Sequence, residues 1–361
     1  SIQSILDRLQ IDNLSVFNSL QKNDRLFIEG GPGTGKTTIA KAYIDKYHTL
    51  RGLYLCWNKL LEARFRHYMS QQGFANCDVY QFASFVYKIE KQLGIPFTPI
   101  EEISSGKAFS HVKDLVLELR NLPDFHPYDY IIVDEAQDTL DKGVSHIING
   151  LSSITSDGIE SGRYLVFYDI EQGYHYTSDL SEQMVQDLYP AGAHFLLDVN
   201  RRVPTNKEIV SFANSLLGDC SIADALTDIE ESNYDSVKVF HFDGAKSLIK
   251  HINKIKKDVK SSGGQWDDFV VLADSSTKHQ QSRGDESLYD RIATIDGMKD
   301  LSPQNICVDT GELPFTSILT YKGLESKHVV LVINNRSEVD KLEFYVGMTR
   351  AIVDLQILIL E

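Results

Sequence analysis

The stretch LFIEGGPGTGKTTIAKAYIDK, residues 26–46, decides the fold class of this chain. Its apolar start, residues 26–28, predicts a strand, and its last part, residues 38–46, predicts a helix. Between them, residues 30–37 read GGPGTGKT and fit the pattern GxxxxGK[ST] in the strand–loop–helix setting that this pattern requires. Glycines let the backbone N–H groups of such a loop turn inward around an anion at a helix N-terminus. We therefore predict a binding site for the phosphates of a nucleotide.

The same loop supplies the side chains that a bound nucleotide needs. We expect Lys36 to reach the β- and γ-phosphates and the Thr37 hydroxyl to ligate Mg²⁺. The predicted nucleotide contacts in the loop are Gly30, Gly31, Pro32, Gly33, Thr34, Gly35, Lys36, Thr37 and Thr38. The alternative is a glycine-rich turn that arises by chance, and the flanking strand and helix argue against it.

An acidic pair follows a second apolar run. The segment YDYIIVDEAQD, residues 128–138, carries Asp134 and Glu135 directly after an uninterrupted apolar strand. Ligands of open α/β sheets bind beyond the carboxyl ends of the strands. We expect Asp134 to hold the magnesium ion and Glu135 to polarise the attacking water as a general base. Acids that only begin a helix are the alternative, which the phosphate loop disfavours.

Strand-like runs alternate with helical stretches along the whole chain, which predicts an α/β fold with parallel sheets. The predicted strands are residues 26–28, 53–56, 130–133, 164–167, 195–197, 237–242, 269–272, 317–319, 329–333 and 355–360. Each half has enough strands for its own sheet. We predict two domains, residues 1–198 and 199–361, with a small helical insertion at about 86–128 in the first.

Composition narrows the class of protein. A chain of 361 residues with 42% hydrophobic and 24% charged residues can bury a substantial core. Four separated cysteines without a CxxC pair fit a reducing compartment, and no apolar stretch reaches the ~20 residues that span a bilayer. We therefore expect a cytoplasmic protein without membrane contact. The net charge of −15 argues against a uniformly basic nucleic-acid-binding surface.

The motifs occur in an order that resembles superfamily 1 helicases of the UvrD/Rep type. Beyond the phosphate loop and DEAQD, the segments similar to that family's motifs are LCWNKLLEARF (55–65), VYQFASF (79–85), LVFYDIEQGYHY (165–176), LLDVNRR (196–202), YKGLES (321–326) and FYVGMTRA (344–351). The resemblance spans residues 26–351. It implies two RecA-like P-loop NTPase cores with ATP and Mg²⁺ between them, the second core carrying KGLE and an arginine finger.

The resemblance also assigns roles to further residues. It implies that Arg202 and Arg350 contact the γ-phosphate, where guanidinium groups offset the charge of phosphoryl transfer. Gln137 and Gln172 are assigned as γ-phosphate sensors, and Glu325 of KGLE is expected to approach the nucleotide ribose. Gly323 is a further predicted nucleotide contact, and Arg201 replaces an aromatic residue that stacks on the base. A guanidinium plane can also stack on a purine.

Nucleic-acid contacts are expected where the family has them. The resemblance places the Asn58–Lys59 pair against nucleic acid, and Trp57, Phe82 and Tyr174 are candidates for stacking on bases. Core packing is the alternative for each aromatic residue, and for Phe82 it is favoured. Arg64 and Arg66 make the helix after Lys59 locally basic. The lysine-rich face of residues 245–260 is better explained by solvation.

These observations lead to a function hypothesis and its rivals. We predict an ATP-dependent translocase or helicase-like ATPase on single-stranded DNA, with 3′–5′ movement by family analogy. A nucleotide-gated switch or assembly subunit, working with a protein partner such as a nuclease, is the alternative, since small insertions leave little surface to grip a duplex. An RNA-directed member of the same superfamily is a third, minor hypothesis, because the sequence does not reveal whether a 2′-hydroxyl is recognised.

Overall fold

A computed structural model describes residues 23–152, 161–169, 189–197, 204–216, 221–231, 234–278, 287–334 and 339–361. The chain divides into two compact units, Ser1–Arg201 and Arg202–Glu361. Each contains its own parallel sheet, so the predicted α/β fold with parallel sheets is confirmed. No helix in the described ranges is both long and apolar enough to cross a membrane.

The first unit is built on a six-stranded sheet. Its strands are β1 (Arg25–Gly30), β2 (Gly52–Cys56), β3 (Cys77–Gln81), β4 (Tyr130–Val133), β5 (Tyr164–Tyr168) and β6 (Ala193–Leu197), in the spatial order β3-β2-β4-β5-β1-β6. All neighbours pair in parallel. Because parallel strands end at the same edge, this sheet brings the residues after β1, β2, β4 and β5 to one side.

Helices cover this sheet and fill the connections between its strands. They are α1 (Lys36–Lys46), α2 (Lys59–Gln72), α3 (Phe82–Leu93), α4 (Ile100–Ile103), α5 (Ala108–Arg120) and α6 (Val144–Leu151). Buried residues of α5 recur at helical spacing, at Val112, Leu115, Val116 and Leu119, and they pack into the same core as α3 and α6. The region between β3 and β4 is therefore helical and joins the main core of the unit.

The second unit repeats the same layered plan. Its strands are β7 (Val237–Phe242), β8 (Phe269–Ala273), β9 (Met298–Asp300), β10 (Leu313–Ser317), β11 (Ser326–Ile333) and β12 (Ala351–Leu360), in the order β7-β12-β11-β8-β10-β9. All of its neighbours also pair in parallel. Its helices are α7 (Pro204–Leu216), α8 (Ile222–Glu231), α9 (Ala245–Ser262), α10 (Leu288–Ala293), α11 (Ile318–Tyr321) and α12 (Lys341–Met348).

The strand prediction was wrong in one place and incomplete in two. Residues 317–319 were predicted as a strand, but β10 ends at Ser317 and α11 begins at Ile318. The Ser317 side chain accepts a hydrogen bond from the Thr320 N–H at 3.4 Å, which starts the helix instead. Strands β3 and β9 were not predicted, because their sequences CDVYQ and MKD contain too few consecutive apolar residues.

Candidate functional site

The phosphate loop lies between β1 and α1, as the sequence predicts for this motif. Gly33 and Gly35 have positive φ angles of 74° and 100°, a conformation that residues with a Cβ rarely adopt. The Thr34 hydroxyl donates to the Gly31 carbonyl oxygen at 2.9 Å and is almost fully buried. These features stabilise the curved backbone of the loop from inside.

Two other glycines of the loop have opposite surroundings. A Cβ on Gly30 would lie 2.6 Å from the Thr34 hydroxyl oxygen and 3.0 Å from Cβ of Leu197, so any larger residue would displace the loop. A Cβ on Gly31 would meet no atom within 4 Å. The loop is thus packed tightly against β6 at Gly30 and is open at Gly31.

The start of α1 has the properties of an anion site. Its N-cap is Gly35, no side chain caps it, and its first turn contains no acidic residue. The first N–H groups and the positive end of the helix dipole are therefore available to a phosphate. The Lys36 ammonium donates to the carbonyl oxygens of Gly30 and, at 3.2 Å, Gly31, which holds its positive charge within the loop.

Asp134 follows β4 at the same edge of the sheet and is only 3% exposed. Its two carboxylate oxygens accept hydrogen bonds from the Tyr54 hydroxyl at 2.6 Å and from the Glu135 N–H at 3.0 Å. Burial and the charge of Glu135 raise the pKa of Asp134, whereas the Tyr54 hydrogen bond and the charge of Lys36 lower it. Strands β4, β5 and β1 are parallel neighbours in the sheet, so the phosphate loop after β1 and Asp134 after β4 lie at the same edge.

Glu135 has a backbone conformation that marks a functional position. Its φ of 53° is the only positive φ of a non-glycine residue in the described ranges. Such strain costs about 1–3 kcal/mol and clusters at active sites. The Gln137 amide donates to the Glu135 carboxylate, and its oxygen accepts the Asp169 N–H at 3.0 Å. Gln137 therefore fixes the Glu135 carboxylate relative to the end of β5.

The side chains at this edge suit magnesium. The Asp134 carboxylate and the Thr37 hydroxyl are hard oxygen ligands, and Thr37 is exposed at the start of α1. In the described ranges, no group of three or more His, Cys, Asp or Glu is arranged to hold a metal. A magnesium ion here would therefore take its other ligands from nucleotide phosphates and water, as this ion commonly does.

Four of the predicted site residues lie outside the described ranges. They are Gln172, Tyr174, Arg201 and Arg202. Their assignments remain predictions from the family resemblance.

In the second unit, Arg350 lies at the junction of α12 and β12 and is 3% exposed. Its guanidinium donates to the Val346 carbonyl at 3.0 Å, the Leu324 carbonyl at 3.3 Å and the Thr349 hydroxyl at 3.1 Å. These bonds join the end of the FYVGMTRA segment to the KGLE loop. The two motifs that the sequence placed in the second core are therefore in direct contact.

The KGLE loop itself is a tight turn between α11 and β11. Gly323 has a φ of 82°, and the Leu324 N–H donates to the Tyr321 carbonyl at 3.0 Å. The Tyr321 hydroxyl donates to the backbone carbonyl of Glu325 at 3.1 Å. The predicted nucleotide contacts Gly323 and Glu325 thus belong to a turn that is braced at both ends.

The candidate nucleic-acid residues lie around the start of α2 and α3. Asn58 is the N-cap of α2, and its side-chain oxygen accepts from the Leu60 N–H at 2.7 Å and the Leu61 N–H at 3.3 Å. Lys59 is exposed and Trp57 is half-buried. Phe82 is fully buried in the core, so its ring packs among side chains and is shielded from solvent.

One residue of the site was missed by sequence reasoning. Tyr54 lies in β2, whose five residues are all buried, and its hydroxyl bonds to Asp134. A phenol within an otherwise apolar buried strand is a usable signal, because buried tyrosine hydroxyls nearly always have a hydrogen-bond partner. Sequence alone does not say which partner, since that depends on the pairing of β2 with β4.

A parallel sheet with this phosphate loop after one strand and an acidic pair after another defines a P-loop nucleotide-binding protein. The sequence profile described as the DNA/RNA helicase domain of Schlafen group 3 matches residues 23–290 of the chain. The chain belongs to this family. The match supports the predicted superfamily 1 helicase class. The narrower assignment to the UvrD/Rep type remains a prediction.

Solved structures of helicases are similar at low sequence identity. One, of two coordinating Pif1 helicases unwinding forked double-stranded DNA, has 13% identity and a TM-score of 0.42 over 97% of this chain and 92% of that one. Another, the helicase nonstructural protein 10 of an arterivirus, has 13% identity and a TM-score of 0.38 over 94% of this chain and 61% of that one. No curated protein matches the chain. Both structural similarities are too distant to add to the fold described above.

Proposed function

We propose that this domain hydrolyses ATP with Mg²⁺ and that single-stranded nucleic acid, DNA rather than RNA, stimulates the reaction. The observation that carries the proposal is that Lys36 follows β1, and Asp134 and Glu135 follow β4, at the same edge of one parallel sheet. A phosphate-binding cation, a metal-binding carboxylate and a strained, hydrogen-bonded carboxylate are the groups that phosphoryl transfer to water needs. The family match supports the same activity.

The proposed roles follow from these positions. The loop N–H groups and Lys36 would bind the β- and γ-phosphates, Thr37 and Asp134 would hold Mg²⁺, and Glu135 would orient the attacking water. Gln137 would report the state of the γ-phosphate, because its amide already bridges Glu135 and the Asp169 N–H. The family resemblance adds Gln172, Arg202 and Arg350 to this machinery.

The domain assignment and the direction of movement belong to the same proposal. Residues 1–198 would form the nucleotide-binding core, and residues 199–361 would form the second core with KGLE and Arg350. For Arg350 to act as an arginine finger, its guanidinium would have to exchange the Val346 and Leu324 carbonyls for phosphate oxygens. Movement would be 3′–5′ if the chain shares the UvrD/Rep polarity.

An ATPase assay with and without nucleic acid tests the proposal. We expect turnover to rise with single-stranded DNA, to rise less with matched RNA or duplex, and to be lost in Lys36→Ala. Lys46→Ala, at the other end of α1, is the control for loss of a lysine from this helix. Turnover that no nucleic acid changes would favour the nucleotide-gated switch, and equal activity of Lys36→Ala would refute the site itself.

A further inference from the structure

Tyr54 provides a direct link from the sheet interior to the proposed metal ligand. Its side chain is fully buried, and its hydroxyl donates to the Asp134 carboxylate at 2.6 Å. A tyrosine phenol carries its proton at neutral pH, so the hydroxyl is the donor in this bond and the carboxylate accepts. The bond is short and directional, which fixes the carboxylate's orientation.

The ring of Tyr54 also contacts helix α2. It is stacked on Phe65 with a centroid separation of 3.8 Å and an interplanar angle of 10°. Phe65 is 2% exposed, so the two rings are enclosed in the core. Close-packed side chains transmit displacement, because an interior has little free volume to absorb it. A shift of α2 that moves Phe65 would therefore also move the Tyr54 hydroxyl.

The outer face of α2 is basic and is tied to α1. Arg64 and Lys59 are exposed on it, and the Lys41 ammonium lies 4.2 Å from the centroid of the Tyr68 ring. Arg64 lies one helical turn before Tyr68, so its guanidinium and the Lys41 ammonium are both placed near this aromatic side chain. Adjacent cations beside an aromatic ring suit the phosphates and bases of a single strand.

We infer that Tyr54 is a positioning residue for Asp134, and that the Phe65–Tyr54 stack couples nucleic acid on α2 to the magnesium ligand. The inference rests on the proposed function, since it explains how nucleic acid could stimulate hydrolysis. Of the two described hydrogen bonds to the carboxylate, the one from the Glu135 N–H is local to the strand end. The hydrogen bond from Tyr54 comes from β2, and Tyr54 stacks on Phe65 of α2, so a movement of α2 can alter this bond.

Simple core packing is the competing explanation, and the two differ in what the hydroxyl does. If Tyr54 only fills space, Tyr54→Phe should leave magnesium binding unchanged, because the ring and its stack remain. If it positions Asp134, losing the donor should weaken the metal ligand. Loss of a hydrogen-bond partner of a metal ligand typically costs about 10–100-fold in metal affinity or activity.

The first experiment measures metal binding rather than turnover. A fluorescent ADP analogue is titrated with Mg²⁺ on the full chain, comparing wild type, Tyr54→Phe and the control Tyr128→Phe. Tyr128 is also buried and donates to an aspartate, Asp78, at 2.9 Å, but that carboxylate is not part of the nucleotide site. We expect the half-saturating Mg²⁺ concentration to rise about tenfold in Tyr54→Phe and to stay unchanged in Tyr128→Phe. Equal Mg²⁺ dependence of the two variants would overturn the positioning role.

The second experiment measures coupling. The ratio of ATP turnover with and without a single-stranded oligonucleotide is compared for wild type, Phe65→Leu, Phe65→Tyr and the control Phe85→Leu, which alters another buried ring of the unit. We expect Phe65→Leu to lose most of the stimulation, with oligonucleotide binding by anisotropy retained. Phe65→Tyr, which keeps a ring for the stack, should restore it. Full stimulation in Phe65→Leu would overturn the coupling.

These experiments separate failure of the inference from failure of the proposed function. A wild-type chain that hydrolyses no ATP would refute the proposed function, while the ADP titration would still decide the role of Tyr54. In that case the coupling is tested by repeating the Mg²⁺ titration with and without saturating oligonucleotide. We expect the oligonucleotide to change the half-saturating Mg²⁺ concentration of wild type and to change that of Phe65→Leu much less. If the wild-type chain hydrolyses ATP and Phe65→Leu keeps full stimulation by the oligonucleotide, the coupling is refuted while the proposed function stands.

Discussion

At the scale of single residues, Glu135 combines three features that each destabilise the folded state. It has a left-handed backbone conformation, it is 7% exposed, and it follows the carboxylate of Asp134 directly. Strain, burial and like charge all cost free energy, so their coincidence requires a functional reason. Placing a carboxylate beside the phosphate loop, with Gln137 fixing its direction, is such a reason.

Glu135→Gln tests this reason, because it keeps the size and removes the base. We expect kcat for ATP to fall by about 10²–10⁴-fold, the usual contribution of a general base, while nucleotide affinity is retained. Steady-state turnover and binding of a fluorescent ADP analogue measure the two quantities. Glu102→Gln, at an exposed position of α4, is the control. Turnover of Glu135→Gln equal to that of the control would rule out the base role.

Asp274 gives the second unit a pH-dependent contribution to stability. It is 1% exposed at the end of β8 and accepts from the Ser276 hydroxyl at 2.8 and 2.9 Å. Burial raises its pKa from the ordinary value of 3.8 to about 7, with the charge of Glu343 adding to the effect. Between these values the folded chain keeps a proton that the unfolded chain has released. The free energy of unfolding should therefore fall as the pH rises from 4 to 7, by on the order of 4 kcal/mol for this group.

Asp274→Asn should remove this dependence, because the amide keeps an acceptor for Ser276 and cannot ionise. Urea denaturation at pH 5 and pH 8 measures the difference in the free energy of unfolding. We expect the variant to lose less stability than wild type between the two pH values and to be the more stable protein at pH 8. Asp267→Asn, at an exposed position, is the control. An equal loss in Asp274→Asn and wild type would contradict the assignment.

At the scale of elements, α2 has a structural cap where the family resemblance places a nucleic-acid contact. Asn58→Ala should destabilise the unit by about 1 kcal/mol, because two N–H groups of the first turn lose their acceptor. Asn58→Ser keeps a capping oxygen and should be as stable as wild type. Urea denaturation measures the cap, and oligonucleotide anisotropy measures the contact. Weaker binding by the stable Ser variant would assign both roles to Asn58, and an Ala variant as stable as wild type would exclude the cap.

Most strands could be predicted because they are apolar runs, and several of them, such as β2, β4 and β5, are buried along their whole length in a parallel sheet. The exceptions have physical causes. Strand β3 lies at the edge of its sheet, so its residues alternate between buried and half-buried, and its sequence carries Asp78 and Gln81. In β10, Pro314 favours a turn when the sequence is considered alone. In the structure, β10 nevertheless lies between β8 and β9 and pairs with both strands. In these cases sheet pairing, which is not local in sequence, decides the outcome.

The candidate site could be predicted only where a motif names its residues. The phosphate loop, Asp134 and Glu135 follow from spacing and from the strands that precede them. Tyr54 and the bridge from Gln137 to Asp169 depend on which strands are neighbours, and no local pattern contains that information. Asn58 shows that a motif match does not by itself reveal what a residue does. It belongs to a segment that resembles a family motif, and its side chain also caps helix α2.

At the scale of the whole molecule, the net charge of −15 has to be reconciled with the proposed nucleic-acid substrate. Binding to phosphates releases counterions in proportion to the number of local contacts, so a cationic patch matters more than the total charge. Two helices present such patches in the described ranges. Helix α2 carries Lys59 and Arg64, next to the nucleotide site, and α9 carries an exposed row that includes Lys250 and Lys254.

Matched charge variants distinguish the two helices. Lys59→Gln/Arg64→Gln and Lys250→Gln/Lys254→Gln each remove two cations, so both lower the net charge from −15 by the same amount. If α2 binds the strand, only the α2 variant should lose affinity. Its plot of log K against log salt should become shallower by about 0.7 per lost phosphate contact on single-stranded DNA. Fluorescence anisotropy across a salt series measures both effects. A larger loss in the α9 variant would move the nucleic-acid surface to the second unit, and equal small losses would show that neither helix holds the strand.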